Sequence, residues 1–260
     1  MGIENNRNNY NYKNNKLKKI KISAVSYANT YPFLYGIDKK LNKKLYDLSL
    51  DVPSECARKL KDKEVDLGLI PVAMLPKIEN AKIISEYCIG ANGAVKTVLL
   101  MSKIPLSKIK TVYLDPDSRT SVQLLKILAK KYWKYNWNYE ILPENYTANK
   151  EIDSVLLIGD KTQKELPYKY IYDLAEEWKD YTGKPFVFAV WVANKELDIN
   201  FINSFNYSIN YGVNHISESI NKFNKDHKYN LEEYLNEYIS YKLTPSKRDA
   251  LELYLDLINN

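Results

Sequence analysis

Glycine is scarce in this 260-residue chain, at 8 residues, and cysteine and histidine are scarcer still, at 2 each. No G-x-G-x-x-G run follows any strand-like segment, so a dinucleotide cradle has no sequence support. Cys56 and Cys88 stand too far apart for a metal or redox motif, and both are expected to be reduced and buried. His215 and His227 fall in the helical C-terminal region outside every motif, where a surface role outweighs a catalytic one. No apolar run is long enough to span a membrane. The first residues lack an apolar core and a small-residue cleavage site, and Asn6 stands where a myristoylation motif needs Ser or Thr. The expectation is a soluble cytoplasmic protein.

What the chain does have is a hydrophobic fraction of 45%, 13% aromatic residues and a net charge of +6. The charge comes from lysines spread along the whole sequence rather than gathered in a stripe, so it favours an anionic small molecule and points neither to nucleic acid nor to a membrane. The 23 tyrosines are scattered and read as packing residues rather than a base-stacking platform. Residues 1–19, rich in Asn and Lys, bury too little to order themselves and are expected to form a flexible tail.

From Lys19 the pattern is strand and helix in turn. Alternating residues to Ser26 give a strand, Pro32 opens a helix through Phe33, Leu34 and Ile37, and Tyr46 to Val52 gives a second strand. Pro53 opens a helix with Cys56, Ala57 and Leu60 on one face, before the apolar strand Val65 to Ile70. Units this short imply parallel pairing. Ile83 to Ile89 and Val95 to Met101, separated by Gly90 to Gly93, read as strand, turn, strand. A second series follows: strand Thr111 to Leu114, helix Ser118 to about Trp133 facing inward through Val122, Leu125, Ala129 and Tyr132, and strands Tyr139 to Leu142 and Ser154 to Ile158. Pro185 to Ala193 is a long apolar strand returning to the first lobe. Beyond it lie a long helix from Ile202 to Phe223, another from Leu231 to Tyr241, and a last one opened by Thr244-Pro245.

The predicted architecture is therefore α/β, with two lobes joined by crossings near Ile104 to Ile109 and Lys184 to Trp191, and with C-terminal helices. Residues 20–106 plus 190–260 form one lobe and 107–189 the other. In such folds ligands bind at the carboxyl ends of strands and the starts of helices. That rule selects Ser26, Tyr27, Asn29 and Thr30 after the first strand, Ser54 and Pro71 after the next two, and Gly159 and Asp160 after Ile158. It selects most strongly Ser118, Arg119, Thr120 and Ser121, whose hydroxyls and guanidinium gather at a helix start that favours a carboxylate or phosphate. The competing reading is capping by Asp117 or Ser118, with Arg119 in solvent. Candidate carboxylates near the cleft are Asp51, Asp115 and Asp160, each with an ordinary role in turns.

Six runs in order carry a family resemblance: Val25 to Thr30, Asp66 to Ala73, Cys88 to Ala91, Ser118 to Ser121, Leu157 to Asp160, and Pro185 to Trp191. They resemble the chorismate dehydratases of the futalosine route to menaquinone, which have the type II periplasmic-binding-protein fold. The resemblance implies a lyase that removes water from chorismate to give 3-[(1-carboxyvinyl)oxy]benzoate, with no cofactor and no metal. It implies that Asn29 contacts the reacting region, and that Thr97 stands where a serine is more usual. Thr97 is equally an ordinary β-branched strand residue. It also implies substrate-assisted catalysis, in which the substrate's own side-chain carboxylate takes the ring proton. Two other readings share the fold: a solute-binding protein for an anionic metabolite, and a 1,4-dihydroxy-6-naphthoate synthase, which the Ser-Tyr-Ala-Asn-Thr loop disfavours.

Overall fold

Ile20–Val25 forms β1, buried on both faces from Ile22 onward, and it pairs in parallel with β2 (Tyr46–Asp51) and β3 (Leu67–Pro71). The connecting helices are α1 (Tyr31–Lys40), with Pro32 in its first turn, and α2 (Pro53–Lys61), which buries Cys56, Ala57 and Leu60 as their spacing requires. The structure is a computed structural model that describes residues 19–144, 146, 152–163, 167–223 and 229–259. The expected tail through residue 18 and His227 lie outside the described residues.

Beyond β3 the chain forms β4 (Lys82–Ala91), β5 (Val98–Ser102), β6 (Thr111–Leu114), β7 (Asn138–Ile141), β8 (Ser154–Ile158), β9 (Tyr170–Asp173) and β10 (Phe186–Ala193). Two five-stranded sheets result, in the orders β2-β1-β3-β10-β4 and β7-β6-β8-β5-β9. The two orders are the same pattern. Each sheet has three parallel strands, then an antiparallel strand supplied by the chain as it crosses from the other sheet, then an edge strand. The sheets are mixed rather than wholly parallel, because β10 and β5 run against their neighbours.

This exchange corrects the expected hairpin over Ile83 to Met101. β4 and β5 do not pair with each other; β5 pairs with β8 and β9 in the second sheet. The chain therefore leaves the first sheet through residues 92–97, with Gly93 at φ 119°, rather than near Ile104 to Ile109. Val98–Ser102 sits in the second sheet and all of Phe186–Ala193 in the first, unlike the expected division of lobes.

The helix α3 (Thr120–Ile127) ends sooner than predicted and continues as a π-helical segment, Leu128–Trp133. That change of period turns the buried face, so Leu124 and Leu128 are buried while Tyr132 is exposed. Sequence reading passed over β9 and α4 (Leu174–Thr182), although Asp173 caps α4 by accepting from the Ala175 and Glu176 N–H groups, and Gly183 ends it at φ 70°. The long C-terminal helix is two, α5 (Ile199–Val213) and α6 (Ile216–Phe223), broken at Asn214. The next is one helical turn, α7 (Leu231–Glu233), and a π-helical segment, Tyr234–Tyr238, after which the backbone extends. The last, α8 (Pro245–Asn259), buries Leu251 and Tyr254 as expected.

Candidate functional site

Parallel strands place their carboxyl ends on one edge of a sheet, and an antiparallel strand between them brings its amino end to that same edge. Here the two such edges face each other across a cleft. Tyr27 and Pro71 reach it from the ends of β1 and β3, Gly159 from the end of β8, and Thr97 and Phe188 from the starts of the antiparallel β5 and β10.

After β1 a tight 3-10 turn, Ala28–Thr30, buries Ala28 and Thr30 and leaves Asn29 between them facing the cleft. Thr30 stays off the cleft wall, and its hydroxyl donates to the Asn29 side-chain oxygen at 3.2 Å. Ser26 and Ser54 do not line the cleft either. The Ser26 N–H is bound to the Asp51 carbonyl, and Pro53 takes the lining position beside Ser54. Asp51 lies behind, accepting from Ser23, Ser49 and Lys59 at 2.6–2.7 Å. Burial alone would raise its pKa, and these three donors outweigh burial and lower it.

On the opposite wall Ser118, Arg119, Thr120 and Ser121 all line the cleft. Arg119 occupies the N-cap position of α3, with no side-chain cap from Asp117 or Ser118, so the start of the helix is open to a ligand. The Arg119 guanidinium is steadied by the Pro116 carbonyl at 3.3 Å and has no carboxylate partner among the described residues. Thr120 has a different task. Its hydroxyl donates to the Phe188 carbonyl at 3.1 Å and accepts from the Ala73 N–H at 3.3 Å, while its carbonyl accepts from Tyr254 at 2.8 Å. It thereby ties α3 to the first sheet.

Asp115 is fully buried beneath this loop. One of its oxygens accepts from the Asp117 N–H at 3.1 Å and the Lys161 ammonium at 2.8 Å, and the other is without a partner among the described residues. Lys161 also holds Asp117 at 2.8 Å. Burial alone would lower the Lys161 pKa, and the two carboxylates raise it instead. Tyr27, its hydroxyl buried and without a partner among the described residues, has a raised pKa through burial first and the nearby Asp117 and Asp115 next. Its ring lies against Gly159, which sits at φ 59°, and a Cβ there would meet the ring at 3.0 Å. Asp160 is exposed, off the cleft wall, and accepts from the Tyr229 hydroxyl at 3.1 Å.

Residues that sequence reasoning missed come from the C-terminal strap. Tyr241 donates to the Asn29 carbonyl at 3.1 Å, and the Tyr234 hydroxyl lies 2.8 Å from the Thr97 hydroxyl. Nothing in the spacing of 23 tyrosines singled these out. Asp173, buried, accepts from the Val95 and Lys96 N–H groups at 2.9 and 2.6 Å and so anchors the crossing segment just before Thr97; burial raises its pKa. His215, half-buried at the break between α5 and α6, bonds the Tyr211 carbonyl and lies away from the cleft. Among the described residues no cluster of His, Cys, Asp or Glu is arranged to hold a metal ion, and no helix is long and apolar enough to cross a membrane.

A family model described as menaquinone biosynthesis matches residues 20–260. A chorismate dehydratase from Thermus thermophilus is 31% identical over 170 residues, covering 56% of this chain and 60% of that protein. One from Campylobacter jejuni is 28% identical over 233 residues, covering 85% of this chain and 80% of that protein. Among solved structures, a protein from Archaeoglobus fulgidus superposes with a TM-score of 0.73 at 14% identity, covering 93% of this chain and 97% of its own. A Candida albicans gene product described as having the generic periplasmic-binding-protein fold superposes with a TM-score of 0.60 at 12% identity, each chain 94% covered.

Proposed function

The chain belongs to the menaquinone-biosynthesis family, on a two-lobed type II periplasmic-binding-protein fold, and from that premise we propose that its cleft dehydrates chorismate to 3-[(1-carboxyvinyl)oxy]benzoate. The observation that carries the reading is the mixed lining of one cleft. Arg119, Ser118 and Ser121 at an open helix start and Thr97 just before β5 line it from the second sheet, and Asn29 lines it from the turn after β1 in the first. Chorismate has two carboxylates and a leaving hydroxyl. The helix start and guanidinium suit one carboxylate, by charge and by N–H geometry. The amide and hydroxyl suit the reacting carbons.

The reaction removes a proton from the ring carbon bearing the enolpyruvyl ether and a hydroxyl from its neighbour, leaving an aromatic ring. Neither carboxylate nor imidazole is among the described residues lining the cleft. Asp115, Asp51 and Asp160 are each engaged elsewhere. The substrate's own side-chain carboxylate is therefore the base we assign. The protein's part is to hold that carboxylate over the ring proton and to donate hydrogen bonds to the departing hydroxyl. Asn29 has two amide N–H groups, and with its side-chain oxygen held by Thr30 these are available to the cleft. We place the reaction in the cytoplasm, a reading supported by two buried, unpaired cysteines.

The deciding assay mixes the purified chain with chorismate alone and follows ultraviolet absorbance and mass. A product lighter by one water is expected. Binding without product would make the protein a receptor for a related anion, and turnover of cyclic de-hypoxanthine futalosine instead would assign it to the sister reaction. In the same assay Arg119→Ala is expected to raise KM roughly tenfold or more with kcat changed only a few-fold, because it removes a contact made in ground and transition states alike. An unchanged KM would remove Arg119 from the binding site.

A further inference from the structure

Three tyrosines of the C-terminal strap grip the loops of the cleft. Tyr229 donates to Asp160 of the second lobe at 3.1 Å, Tyr241 donates to the Asn29 carbonyl of the first at 3.1 Å, and Tyr234 sits between them. Tyr229 packs edge-on against Tyr234, with ring centroids 5.4 Å apart at 84°. Tyr234 is 4% exposed and opens the π-helical segment Tyr234–Tyr238, where the wider turn sets its side chain apart from the regular helical face. Its hydroxyl meets the hydroxyl of Thr97, which lines the cleft just before β5, at 2.8 Å.

We propose that Tyr234 is a positioning residue for the reaction, its hydroxyl fixing the direction in which Thr97 presents its donor to the substrate. The proposal rests on the chorismate reading. A phenol has one hydrogen and accepts through its oxygen. With the Thr97 hydrogen donated to the Val95 carbonyl, the Tyr234 hydrogen is directed to the Thr97 oxygen. The Val95 contact is long, at 3.5 Å, and a substrate oxygen in the cleft would displace it. Without the phenol hydroxyl, Thr97 loses its short partner and samples orientations that do not serve the departing hydroxyl.

The test uses the full chain carrying Tyr234→Phe, Thr97→Val and both together, with steady-state turnover of chorismate and thermal melting measured on each. Tyr234→Phe is expected to lower kcat by about tenfold or more with KM within a few-fold. The double variant is expected to be no slower than the slower single variant, since both remove the same arrangement. A Tyr234→Phe enzyme with wild-type kcat, or two losses that multiply, would overturn the role. Should the phenylalanine variant fail to fold, 3-fluorotyrosine at position 234 keeps ring and shape while changing hydroxyl acidity. A change in kcat of about twofold or more with unchanged melting supports positioning, and an unchanged kcat overturns it. Wild-type protein is run beside these. No product from it overturns the reaction itself and this role with it, whereas product from wild type and an unimpaired Tyr234→Phe removes the role alone.

Discussion

Replacing Asn29 by alanine is expected to lower kcat by roughly a hundredfold, with KM changed only a few-fold, because a single preorganised donor at a site of developing charge is worth that much. The side chain faces the cleft because a 3-10 turn buries the residues on both sides of it, so no neighbour can take its place. The residue is held from two directions. Its side-chain oxygen accepts from Thr30, and its backbone carbonyl is bound by Tyr241. A side chain restrained in this way loses little further entropy when the transition state forms, which is the condition under which a hydrogen bond lowers a barrier. Asn29→Asp makes the sharper comparison, since it keeps the shape but converts a donor into an acceptor. Turnover as low as in the alanine variant would assign the effect to the lost donor. Wild-type kcat in Asn29→Ala would reduce the residue to a loop-former.

The largest effect on stability is expected at Gly36. It lies in α1, where that helix crosses α5 with backbone against backbone. A Cβ on Gly36 would run into the Ser208 carbonyl oxygen and lie 2.8 Å from the Gly212 nitrogen, and one on Gly212 would run into the Pro32 carbonyl oxygen. Backbone atoms of two packed helices cannot turn aside as a flexible side chain can, so the helices must separate. The faces they bury hold Phe33 against Trp191, with ring centroids 5.9 Å apart, and Trp191 against Phe205 at 5.0 Å. Gly36→Ala is expected to cost about 3 kcal/mol or more, by overpacking. For a chain of this size that lowers the melting temperature by roughly 6–12 °C. Gly183 is the contrast. A Cβ there meets nothing within 4 Å, and only its φ of 70° is unfavourable, so Gly183→Ala is expected to cost about 1 kcal/mol. Thermal melts of the two variants, followed by circular dichroism, separate steric conflict from backbone strain. Equal shifts would refute the close approach of α1 and α5. Because α1 begins at Tyr31, directly after the Asn29 turn, Gly36→Ala is also expected to impair the site.

Local pattern was enough to locate the βα units, since alternation over Ile20–Val25 and the one-sided face of α2 follow from side-chain periodicity alone. It was enough, too, for the walls of the site that follow strands: Tyr27, Asn29, Pro71, Gly159 and the run Ser118 to Ser121 all line the cleft. The carboxyl-end rule needs only to know where a parallel strand stops. Pairing lay beyond it. Nothing local distinguishes Val98–Ser102 as the antiparallel strand of the second sheet from the second arm of a hairpin, because both are short apolar runs after a glycine. Only that pairing brings Thr97 to the cleft, by setting the amino end of β5 among carboxyl ends. Ser26, Thr30, Ser54 and Asp160 sit in the right loops and yet miss the wall, since a turn of one residue decides which side chain faces in. Tyr241 reaches Asn29 across 212 positions of chain and Tyr234 reaches Thr97 across 137, distances over which no sequence period carries information. Short-range sterics and periodicity are written in neighbouring residues, whereas strand exchange and the tyrosine contacts exist only once the two sheets and the strap are packed together.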